Sequence, residues 1–131
     1  MKMEYLDATG GGDYPQASPK HLIRLSEFTD EDRLGLIESI KESILKNDQS
    51  LELNHLSFIQ ADTCLVSFRL SEEDEGLVKI GAKNEYACFL SPSAYQNMIE
   101  IIRHVGEGHN WLTPGEYLDE PAFLISRYGS W

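Results

Sequence analysis

Apolar and polar residues alternate most strictly over Cys64-Leu-Val-Ser-Phe-Arg-Leu70, which sets Cys64, Val66, Phe68 and Leu70 on one side and Leu65, Ser67 and Arg69 on the other. A period of two with β-branched and aromatic members marks a half-buried strand. Two shorter apolar runs follow, Leu77 to Ile80 and Glu85 to Leu90, each set off by a few turn-forming residues. Short connections favour antiparallel neighbours, so residues 64–90 are expected to form a three-stranded antiparallel meander around which the chain is organised.

Before this stretch, Met3, Tyr5 and Leu6 mark a first strand over residues 1–8. Thr9-Gly-Gly-Gly-Asp-Tyr-Pro15 and Gln16-Ala-Ser-Pro19 then break regular structure. Three successive glycines invite a phosphate-loop reading. Such a loop needs a helix directly after it and usually a Lys-Ser/Thr pair, and here prolines follow instead. Residues 21–28 read as a second strand, with His21 as an entry residue. Thr29 is a suitable N-cap for a helix over residues 30–46, and Asp30, Glu31 and Asp32 fall in its first turn, where the helix dipole favours acids. Leu34, Leu36, Ile37, Ile40, Ile44 and Leu45 supply its apolar face. Residues 51–60 are ambiguous, with a strand expected near 56–60.

After the central stretch, Ser91 followed by Pro92 is a helix start. Ala94, Tyr95, Met98, Ile101, Ile102 and Val105 share a face, so a helix is expected over about residues 93–105, stopped by Gly106. Residues 107–115 are irregular and end in a β-turn at Thr113-Pro-Gly-Glu116. Residues 122–127 form the last strand. The sum is one α+β domain over residues 1–131, an antiparallel or mixed sheet of five to six strands covered by two helices as a two-layer sandwich. The alternative is a curled, barrel-like sheet with the helices outside.

Charge changes the picture most. Eleven basic residues stand against 22 acidic ones, a formal net charge of −11. That field repels nucleic acid and anionic membranes and suits a basic protein partner. No apolar run approaches the roughly 20 residues of a membrane span. The opening residues have no apolar signal-peptide core, which favours the cytoplasm. Cys64 and Cys88 are too few for a disulfide framework and both lie in expected strands, so they read as buried free thiols; a bridge between them would need neighbouring strands.

No motif calls for a cofactor. A Gly-x-Ser-x-Gly nucleophile is missing, His55 has no metal-ligating neighbours, and His104 and His109 straddle a helix end at a spacing unsuited to a metal. The acidic tip Glu72, Glu73, Asp74, Glu75 lacks the ligand order of a calcium loop and reads as a solvated turn. Together with Asp30, Glu31 and Asp32 it would form an acidic rim if the preceding strands ran parallel. A second candidate is the cluster His109, Asn110, Trp111 and Tyr117, with Tyr14, where amphipathic rings and polar tips suit a ligand pocket. The competing reading has Trp111 plugging the end of the core.

Two functions follow as expectations. The first is a non-catalytic protein-binding module, inhibitor- or immunity-like, that docks a basic partner. The alternative is a small-molecule-binding protein or minor enzyme with a pocket near Trp111. Either accommodates a homodimer, because an open sheet leaves edge strands to pair.

Overall fold

The computed structural model describes residues 1–7, 21–81, 83–113 and 121–129. The expected α+β class with two helices is present. The described strands form two mixed sheets, and neither closes into a barrel. The first sheet contains β1 (Lys2–Asp7), β2 (His21–Ser26), β4 (Gln60–Ala61), β8 (His109–Thr113) and β9 (Ala122–Ser126), in the order β4-β1-β2-β9-β8. The second contains β3 (Leu51–Glu52), β5 (Leu65–Leu70), β6 (Gly76–Lys79) and β7 (Glu85–Leu90), in the order β3-β5-β7-β6. The helices are α1 (Asp30–Ser39) and α2 (Pro92–His104).

The meander expected over residues 64–90 is corrected. β7 is inserted between β5 and β6, so β5 and β7 pair in parallel and only β6 and β7 are antiparallel. Meander and insertion bury the same alternating positions, so hydrophobic pattern does not separate them. What holds the inserted arrangement is the connection from β5 to β6, which passes over the end of β7. There the Ser71 and Glu75 amides donate to the Leu90 and Phe89 carbonyls, and the Ser91 amide donates to Asp74 Oδ1 at 2.7 Å. The strand expected at 56–60 reduces to the short β4, which pairs in parallel with Lys2 and Met3. Leu53–His55 is instead a 3-10 turn with Leu53 buried.

The first helix begins as its sequence dictates. The Thr29 hydroxyl accepts from the Asp32 amide and the Asp32 carboxylate accepts from the Thr29 amide, both at 3.1 Å, a reciprocal capping box. From Ile40 to Lys46 the chain continues as a π-helical segment. The Ser39 hydroxyl donates to the Gly35 carbonyl at the junction, a back-bond that loosens helical turns. Gly35 admits the Phe58 ring, which would lie 3.0 Å from a Cβ there. Leu36, Ile37, Ile40 and Ile44 are buried, whereas Leu34 lies off that stripe and is 48% exposed. On α2 the Ser91 hydroxyl accepts from the Ala94 amide, and Arg33 from α1 reaches across to donate to the Arg103 carbonyl at the other end.

One apolar cluster joins both sheets and both helices. Met3, Ile23, Leu25, Phe123 and Ile125 come from the first sheet, and Val66, Phe68, Tyr86 and Cys88 from the second. Leu36, Ile37, Ile40 and Ile44 join them from the first helical region, and Tyr95, Met98, Ile99 and Ile102 from α2. Phe68 is central, with its ring 5.9 Å from Phe123 and 5.5 Å from Tyr95. All five residues of β9 are buried because it lies inside the first sheet, with Leu124 and Ala122 facing a second, smaller cluster that includes Leu22.

Tyr95 is the polar keystone of this core. Its hydroxyl accepts from the Arg69 amide at 2.9 Å and has the carbonyls of Cys88 and Arg69 as acceptors at 2.6 and 2.8 Å. A helix side chain thus supplies hydrogen bonds between two parallel strands. Tyr95→Phe keeps the ring but leaves these backbone groups unpaired in a dry site. Each such group costs about 1–3 kcal/mol, so the substitution is expected to lower unfolding free energy by about 2–3 kcal/mol in urea titration. A loss below about 0.5 kcal/mol would mean that the hydroxyl contributes little.

Candidate functional site

The two acidic runs follow β2 and β5, strands of different sheets, so the premise of parallel strands at one end of one sheet is not met. Within each run the acids divide into two kinds. Asp30 accepts from Arg127 Nη2 at 2.6 Å, and the same guanidinium lies over the Phe28 ring at 5.2 Å from its centroid. Asp32 completes the capping box and lies 3.4 Å from the Met1 amino group. Asp74 holds the amide of Ser91. These three carboxylates are structural. Glu31, Glu72, Glu73 and Glu75 are exposed and form no ion pair among the described residues.

Titration follows this division. The Arg127 hydrogen bond and charge hold Asp30 below the ordinary carboxylate value. Burial alone would raise Asp32, but the Thr29 amide and the Met1 amino group outweigh it and the net direction is down. The Ser91 amide lowers Asp74.

His109, Asn110 and Trp111 lie on β8, at the edge of the first sheet. This strand falls inside the stretch expected to be irregular. Its pairing with β9 is interrupted by a register shift between Trp111 and Thr113, which breaks the alternation that would have marked it. His109 and Trp111 share a face with ring centroids 6.2 Å apart, edge to face. Strand alternation turns Asn110 the other way, and it is exposed. Trp111 is 37% exposed and does not plug the core. Tyr117 and Tyr14 lie outside the described residues, as do the triglycine stretch and most of the turn expected at 113–116.

A further grouping depends on register, which the sequence does not display. Tyr5 on β1 stacks between His21 on β2 and Tyr86 on β7, at centroid distances of 6.0 and 6.1 Å. The Tyr5 hydroxyl and His21 Nδ1 are 3.0 Å apart. His21, an entry residue by sequence, is therefore part of an aromatic stack at the seam between the sheets.

Both cysteines are buried and free. Cys88 stands opposite Phe68, four residues along β5 from Cys64, or about 13 Å at strand rise, too far for a disulfide. Burial, with smaller help from Glu4 and Asp62, pushes Cys64 up to about 12, and burial does the same for Cys88. Neither is a thiolate nucleophile at neutral pH. Among the described residues no group of three His, Cys, Asp or Glu side chains is placed to hold a metal ion. No described helix is long and apolar enough to cross a membrane. Compared with protein-family models, curated proteins and solved structures, the chain gives no match.

The three structural carboxylates predict a specific acid response. Their folded values lie below 3.8, so each contributes stability that is present above 3.8 and lost as pH falls through the folded value. The urea midpoint is expected to be flat from neutrality to about pH 5 and to fall below about pH 4. Asp32→Asn keeps an acceptor for the Thr29 amide without a titrating carboxyl, so its acid slope is expected to be shallower. An unchanged slope would show that Asp32 is not among the linked groups.

Proposed function

We propose that this chain is a non-catalytic protein-binding module, inhibitor- or immunity-like, that works in the cytoplasm and docks a basic protein through its acidic runs. The observation that supports this is the division among the acids. Asp30, Asp32 and Asp74 hold the fold, whereas Glu31, Glu72, Glu73 and Glu75 are exposed without ion-pair partners among the described residues. In a chain of net charge −11, such uncommitted carboxylates accelerate encounter with a positive surface. The first test is a native pull-down at low and high salt with the bound proteins identified. A stoichiometric basic partner that is lost at high salt is expected. Converting Glu72, Glu73 and Glu75 to Gln is expected to slow association about tenfold and leave dissociation nearly unchanged. Absence of a partner, or binding indifferent to salt, counts against the reading.

The exposure of Trp111 favours a second reading, a small-molecule-binding protein or minor enzyme whose ligand sits against Trp111 and His109. A compound that binds there raises the melting temperature by mass action. The expected signature is a shift in the native chain that disappears in Trp111→Ala, read by thermal melting against a small-molecule library. A shift that survives the substitution places the ligand elsewhere.

A further inference from the structure

The chain passes from β4 to β5 through a short strap. Residues 60–63 run between the buried Ile59 and Cys64, and none of the four is buried. Hydrogen bonds along the edge of β1, more than packing, therefore hold them. The Gln60 amide donates to the Met1 carbonyl at 2.8 Å and the Asp62 amide to the Met3 carbonyl at 3.0 Å. In that parallel register the next bond would run from the Tyr5 amide to the Asp62 carbonyl. The Thr63 hydroxyl takes its place. It accepts from the Tyr5 amide at 2.7 Å and donates to the Tyr5 carbonyl at 3.3 Å. One side chain thus engages both edge groups of Tyr5, as a further strand residue would.

Thr63 is positioned from the second sheet. Asn84 Nδ2 donates to the Thr63 carbonyl at 3.3 Å, and the Leu65 amide donates to the Asn84 carbonyl at 3.0 Å. Asn84 does this from the left-handed region, at φ 47°, which asparagine enters more readily than most residues. Asp62 and Thr63 are exposed, and both bonds of the hydroxyl lie in exposed surroundings. Among the described residues, the strap is what separates the β1 edge at Met3 and Tyr5 from solvent.

We propose that this strap is an edge guard fastened by the Thr63 hydroxyl, and that a chain without the hydroxyl pairs its β1 with β1 of a second copy. An open strand edge is a template for another chain, and a covering loop is one way to blunt it. The occupant follows from the charges on the strand. The edge groups that the strap engages belong to Met1, Met3 and Tyr5. A two-fold axis through Met3 matches these residues in antiparallel pairs. It also sets Lys2 of each copy opposite Glu4 of the other, so an opposite-charge pair forms twice. An axis through Glu4 would set Glu4 against Glu4, and charge therefore selects the axis at Met3. The guard goes beyond the docking of a basic partner, and none of the acids in the docking runs lies in the strap.

Thr63→Val keeps the shape of the side chain and removes the hydroxyl, Thr63→Ala removes it with less bulk, and Thr63→Ser keeps it. Sedimentation of the full chain over a concentration series is expected to give the valine and alanine variants a dimer dissociation constant at least about tenfold below that of the native chain. The serine variant is expected to match the native chain. Amide exchange at Tyr5, read by NMR at low concentration, is expected to be at least about tenfold faster in the valine variant and unchanged in the serine variant. Adding Lys2→Glu to Thr63→Val sets glutamate against glutamate and is expected to reverse the gain in association. Circular dichroism melts establish that each variant is folded. Association of the valine and alanine variants no stronger than native, a serine variant that associates as they do, unchanged exchange at Tyr5, or association unmoved by Lys2→Glu would each overturn the proposal.

Discussion

The hydroxyl of Tyr95 is the constraint on which the rest of the structure depends. A parallel pair satisfies its backbone through evenly spaced, slanted bonds, and here the ladder between β5 and β7 takes a side chain into that scheme. The phenol fixes α2 against the second sheet at one point, and the Tyr95 ring against Phe68 carries that fixation to Phe123 and so to the first sheet. Helix position, sheet separation and the depth of the core are set together. Burial raises the phenol far above its ordinary value, so the group remains a neutral donor and acceptor at any pH the protein experiences.

Local chemistry was legible in the sequence and long-range pairing was not. Thr29 and Ser91 announced both helix starts because a cap is a matter of neighbouring residues. The alternation at 64–70 gave β5 correctly, and the strand expected at 122–127 is β9. The position of β7 was hidden because its alternation is the same whether β6 or β5 lies beside it. β8 was hidden because its irregular register spoils the period of two. Of the candidate site, the sequence singled out His109 and Trp111, which do share a face, but it could not show that Asp30, Asp32 and Asp74 hold the fold. Asp30 depends on Arg127 and Asp74 on Ser91, 97 and 17 positions away, and Asp32 adds to its local box with Thr29 a contact with the Met1 amino group 31 positions away.

Net charge is thus a poor guide to which acids do what. A carboxylate that caps a helix or anchors a connection has its partner inside the fold, and its field is largely cancelled there. The remaining glutamates carry the outward field.

The parallel pairing of β2 with β9 has a consequence for the growing chain. Leu22, Ile23, Arg24 and Leu25 align with residues 122–125, about a hundred positions later. As the chain leaves the ribosome, β1 and β2 can pair early, but the apolar edge of β2 waits until about a hundred further residues have been made before its neighbour exists. For that interval Ile23 and Leu25 belong to an unfinished sheet whose open edge is a template for other chains. The first sheet is therefore completed only when β9 docks beside β2, and a chain interrupted before residue 122 keeps that edge open.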